Sequence, residues 1–159
     1  MPKQLAVWLF GQQVGTLTRV EGRLGFGYTP EWLSNPNAMP LSQSLALQAE
    51  PFDDRASRPF FAGLLPEGDK RRLVAQALHV SRQNDFALLD GIGGECAGAV
   101  TLLEPGQTPQ AGVSEDAVRW LEDAGLVAVL DDMRRRPMLA GEHDMRLSLA
   151  GAQPPACAG

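Results

Sequence analysis

The chain has 159 residues, enough for one domain with a substantial core. Hydrophobic residues make up 44% and charged residues 21%, the balance of an ordinary globular chain rather than a disordered or collagen-like one. A formal net charge of -5 argues against non-specific nucleic-acid binding, and no apolar run approaches the roughly 20 residues that cross a bilayer.

No basic segment followed by a long apolar region opens the chain, so a cytoplasmic protein is expected. Cys96 and Cys157 lie far apart, make no disulfide framework and read as free thiols.

Leu5-Ala6-Val7-Trp8-Leu9-Phe10 is a strand by composition, and Gly11-Gln12-Gln13 offers a tight turn. Val14-Gly15-Thr16-Leu17-Thr18 returns as a second strand, Glu21-Gly22 turns again, and residues 24–28 alternate as a third. Leu24, Phe26 and Tyr28 share one face there, while Gly25 and Gly27 leave the other bare, as if to receive a neighbouring backbone or helix. The economical reading is an antiparallel meander.

Pro30-Glu31-Trp32-Leu33 makes one helical turn with proline at its start. Pro40 opens an extended segment with Leu41, Leu45 and Leu47 as its apolar positions, and residues 48–58 read as a polar surface loop. Residues 59–102 are the most ordered stretch, two helices and a strand. Asp69 is expected to cap a helix through Leu78 with Leu73, Ala77 and Leu78 on one face. Ser81 is expected to cap a second, carrying Phe86, Leu88 and Leu89 and ending at Gly91. Residues 99–103 form the strand.

Residues 105–112 hold the prolines and glycines of a linker. Beyond it Ser114 caps a helix carrying Val118 and Leu121, and Gly125 interrupts it. A second apolar stripe of Leu126, Val127, Val129, Leu130 and Met133 follows up to Pro137. Arg134-Arg135-Arg136 suit its C-terminal dipole. The fold class expected is α+β, a small antiparallel sheet with packed helices followed by a helical connecting segment.

Candidate chemistry is sparse. Gly91-Ile92-Gly93-Gly94 superficially suggests a phosphate loop, but such a loop follows a strand and opens a helix, whereas the order here is helix then strand. A helix stop and turn fits better. Lys70-Arg71-Arg72 sits at a helix start, where cations oppose the dipole; it is a solvated face or, as the sharper reading, a contact for an acidic partner surface. His79 and His143 lack ligand-spaced companions, so neither a metal site nor a catalytic residue is assigned. Ser148-Leu149-Ala150-Gly151-Ala152-Gln153 has the small residues that let backbone amides approach phosphate oxygens, although a strand and turn needs no more.

The order of blocks adds to this. Phe60-Phe61-Ala62-Gly63-Leu64-Leu65-Pro66-Glu67-Gly68, then Asp85-Phe86 with Leu88-Leu89, then residues 91–99 from Gly91 to Ala99, resemble the N-terminal subdomain of HipA-type kinases. Those are serine/threonine kinase toxins of bacterial toxin–antitoxin systems. The resemblance runs over about residues 5–103 and resumes at 145–153. It implies an N-terminal subdomain over residues 1–104, a linker at 105–112, a helical connection over 113–144, and the start of a kinase core at 145–159. In the family a glycine-containing loop covers the ATP phosphates and its serine is autophosphorylated. Carried over, the loop is Ala150, Gly151, Ala152 and Gln153, and the serine is Ser148.

The family's lysine two residues after the glutamine is replaced by Pro155, and no position here matches a catalytic or metal-binding aspartate. The resemblance therefore implies a truncated HipA-like toxin, inactive as a kinase by itself. ATP and Mg2+ belong to the intact family, and no cofactor is expected for this chain. Its partner would be a DNA-binding antitoxin of the HipB type. The alternative is a stand-alone subdomain protein that binds and neutralises a separately encoded short HipA-like kinase. Neither direct nucleic-acid binding nor a membrane is expected.

Overall fold

The structure, a computed structural model, describes residues 3–95, 99–109 and 122–135. Strands β1 (Lys3–Leu9), β2 (Gln12–Val20) and β3 (Arg23–Tyr28) form the meander, and β4 (Val100–Leu103) joins the free edge of β1. All pairs are antiparallel and the order is β3-β2-β1-β4. Both hairpins are two-residue turns with positive φ at both positions, Phe10-Gly11 (49° and 78°) and Glu21-Gly22 (50° and 81°). Such turns match the twist of the flanking strands, and glycine takes the second position without strain. The first turn thus lies at Phe10-Gly11, and Gln12 and Gln13 already belong to β2.

The register shifts between Val7 and Trp8, leaving Val14 as the extra residue of a bulge. Its carbonyl accepts the Thr29 N–H at 3.0 Å, and Thr29 in turn caps α1 (Pro30–Leu33) through its hydroxyl.

Alternation puts Leu5, Val7, Leu17, Leu24, Phe26 and Leu102 on one face, where they meet the helices in a single core. Helix α2 (Asp54–Gly63) lays Phe61 against Phe26 with ring centroids 5.4 Å apart. The polar loop expected over residues 48–58 is therefore helical from Asp54 onward. Ahead of it Phe52 exchanges two backbone hydrogen bonds with Phe26, at 2.7 and 3.2 Å. The bare glycine face of β3 does receive backbone, since a Cβ at Gly25 would stand 3.4 Å from the Phe52 carbonyl.

Helix α3 (Gly68–Ala77) begins after Glu67, not Asp69, and buries Val74 and Ala75 rather than Leu73 and Ala77. It ends in a Schellman motif: His79 at φ 55° donates to the Gln76 carbonyl at 3.1 Å, and Val80 to that of Ala75 at 3.0 Å. Helix α4 (Asp85–Ile92) is capped by Asn84, whose side chain accepts the Ala87 N–H at 3.2 Å. Ser81 instead accepts from Gln83 N–H at 3.3 Å, shaping the turn before the helix. A 3-10 turn (Gly93–Glu95) follows. Helix α5 (Asp123–Arg135) contains Gly125, which does not interrupt it. None of the helices among the described residues is long and apolar enough to cross a membrane.

Candidate functional site

At the end of the sheet nearest the β2–β3 turn, three helices converge on one carboxylate. Asp85, the first residue of α4, is only 8% exposed. Arg58 of α2 donates Nη1–H to its Oδ2 at 2.7 Å, and Arg71 of α3 donates Nη2–H to its Oδ1. Arg58 also forks onto Asp54, with Nη2 at 2.7 Å and Nε at 3.1 Å from Oδ1, and reaches the Gly22 carbonyl at 2.8 Å. Asp54 Oδ1 accepts the Leu24 N–H at 2.6 Å, and Arg71 Nε–H reaches the Arg82 carbonyl at 2.8 Å.

The result is a neutral relay, Asp54–Arg58–Asp85–Arg71, that ties α2, α3, α4 and the β2–β3 hairpin together. The Arg58 hydrogen bond holds the Asp54 carboxyl below its usual range, and the Asp54 bond raises the Arg58 guanidinium. Charges this close, fully answered by each other and by backbone groups, fix relative position more than they add net stability.

A cavity of about 300 Å³ opens beside the relay, between the β2–β3 turn and residues 81–86. Arg19 and Leu24, which pair in register across β2 and β3, form one wall.

The basic cluster at the start of α3 is divided by this arrangement. Arg71 turns inward onto Asp85, while Arg72 stays exposed with loose contacts of 3.4 Å to Asp69 and Gln76. Lys70 is half-buried and makes no ion pair among the described residues. Ser148 and the segment Ala150, Gly151, Ala152 and Gln153 lie outside the described residues, as do Ser114 and His143. Gly91 and Gly93 serve close packing: a Cβ at Gly91 would stand 2.4 Å from Leu78 Cδ1, and one at Gly93 2.8 Å from the Leu102 carbonyl oxygen. Among the described residues no group of three or more His, Cys, Asp or Glu side chains could hold a metal ion.

In the sequence Asp85 stands out only as part of the Asp85-Phe86 block of the resemblance, with no role of its own, and Arg58 does not stand out at all. The signal for Asp85 was an acid directly before the apolar run Phe86, Leu88 and Leu89; Arg58 was hidden in a stretch read as loop.

Comparison with known proteins gives a consistent result. Y4mE of Sinorhizobium fredii, a candidate kinase by name, is 51% identical over 152 residues, covering 94% of this chain and 36% of its own length. The serine/threonine-protein kinase toxin HipA of Shewanella oneidensis is 31% identical over 127 residues, or 80% of this chain and 28% of that protein. A solved complex of HipA, HipB and operator DNA from the same organism matches with a TM-score of 0.65 at 27% identity, over 94% of this chain and 34% of that one. The chain thus spans about a third of the length of these relatives. A Haemophilus influenzae protein of unassigned role is 30% identical over 101 residues, which are 64% of this chain but 92% of that protein. The family model described as HipA N-terminal domain matches residues 5–103, and the chain belongs to that family.

Proposed function

We propose that this chain supplies the N-terminal subdomain of a HipA-like serine/threonine kinase toxin and serves as a scaffold and partner-binding part. The supporting observation is the likeness to HipA over 94% of the chain, in a structure where HipA is assembled with HipB and operator DNA. On this reading the partner is a DNA-binding antitoxin of the HipB type, with Lys70 and Arg72 as outward contacts and Arg71 setting the helix that carries them. Ser148 and the loop Ala150 to Gln153 correspond to the phosphate-covering segment of the kinase, which takes ATP and Mg2+.

The 159 residues by themselves are expected to transfer no phosphate, because the resemblance assigns no strand lysine, catalytic aspartate or metal-binding aspartate to any position here. Purified chain incubated with Mg2+-ATP should incorporate no label. Phosphate on Ser148 in the absence of any partner overturns that expectation.

A second reading is favoured by the Haemophilus relative, in which the matched region is nearly the whole protein. Here the chain is a separate subunit that binds and neutralises a short HipA-like kinase. Translating the DNA beyond Gly159 in three frames separates the two. Kinase-core sequence in any of the frames supports the first, and a stop followed by a gene for a kinase without this subdomain supports the second.

A further inference from the structure

The open polar groups around the cavity beside the ion relay are almost all donors. Arg19 lies on the core side of β2, opposite Leu24, at the point where the apolar layer ends. It is half-buried and has no carboxylate partner among the described residues, although the relay beside it is neutral as a set. Apart from the side-chain oxygen of the exposed Gln83, the acceptors nearby are already engaged. Both Asp85 oxygens take arginine donors, the Gly22 carbonyl takes Arg58, and Asn84 Oδ1 takes the Ala87 N–H. With its oxygen used as the helix cap, the Asn84 side chain has its amide hydrogens left to give. Ser81 Oγ accepts from the Gln83 N–H, which leaves its own hydrogen to donate. Leu24 and Phe86 supply an apolar floor.

We propose that this cavity binds a carboxylate carried on a short apolar stem, with Arg19, Ser81 and Asn84 donating to its oxygens and the stem resting on Leu24 and Phe86. A cation would face the Arg19 guanidinium, and a neutral amide would leave the Arg19 charge unbalanced. The volume of about 300 Å³ suits a small organic acid, at the lower end of ligand cavities. This inference does not depend on the kinase reading.

The test uses the full chain labelled with nitrogen-15, following the Arg19 Nε–Hε resonance and the backbone amides of Gln83 and Asn84 by NMR. Glutarate should shift these signals saturably, and its neutral counterpart glutaramide should not. Arg19→Gln should weaken glutarate binding about tenfold or more, the usual loss for a charge-assisted hydrogen bond. Ser81→Ala, which leaves the strand untouched, should weaken it severalfold and keeps the test valid if the first variant unfolds. Absence of a saturable shift with glutarate overturns the proposal. So does an unchanged affinity in Ser81→Ala together with Arg19→Gln, or inorganic phosphate moving the same signals at lower concentration than glutarate.

Discussion

Asp85 carries two guanidinium groups on one carboxylate, so its removal strands the Arg71 charge and leaves Arg58 with Asp54 alone. Asp85→Asn keeps the shape but should cost about 3 kcal/mol, the loss expected when one member of a mostly buried pair is removed. Urea denaturation measures it, and a midpoint shift without change of slope marks a native-state effect. Asp54 supplies a pH signature. Its folded pKa is held below the usual value near 3.8, so its contribution is complete above that value and is lost as pH falls through the folded one. The melting temperature should drop as pH falls below about 4, and Asp54→Asn should flatten that fall. Tyr28 is displaced the other way: burial pushes its phenol up, against the opposing hydrogen bond from the Leu41 N–H at 2.9 Å. Single residues also mark what sequence patterns convey poorly. Asp69 and Ser81 are good caps by type, yet Glu67 and Asn84 take those places, because a cap is chosen by where the chain enters the core and not by side-chain preference alone.

At the scale of elements, the three strands of the meander were legible because alternation places Leu24, Phe26 and Tyr28 on one side and glycines supply the turns. Helix α2 was not. Pro59 lies inside it and the polar run Asp53-Asp54-Arg55 opens it, so its local composition reads as a loop, while its helical state is upheld by Phe61 in the core and Arg58 in the relay. The relay escaped the sequence for the same reason: its members come from three helices and only the tertiary fold brings them together. The end of α3 offers a direct test of local strain. His79 occupies a left-handed position that glycine prefers, and its side chain is exposed. His79→Gly should therefore stabilise the chain by about 0.5–1 kcal/mol, read from thermal or urea unfolding. Helix α5 contrasts with α2 to α4. Leu126, Val127 and Leu130 are exposed at 46%, 58% and 51%, and a helix of 13 residues has little stability without packing. Its amides should exchange with deuterium much faster than those of β1 and β2 in this chain.

At the scale of the whole molecule, the core joins residues from Leu5 to Leu102, so the matched domain should behave as one cooperative unit. Limited proteolysis should leave residues 5–103 intact while cleaving first at 105–112, of which Pro105, Gly106 and Gln107 are exposed. A first cut within residues 59–102 would contradict that unit. The sheet order also sets a clock. The edge of β1 stays unpaired until β4 leaves the ribosome, and β4 ends at Leu103, 75 residues after Tyr28 closes the meander. At usual synthesis speeds that interval is roughly 4–15 s, during which a three-stranded sheet offers a bare strand to any neighbouring nascent chain. Slow translation across the helices between β3 and β4 should lower the yield of soluble protein, whereas slow translation after Leu103 should not.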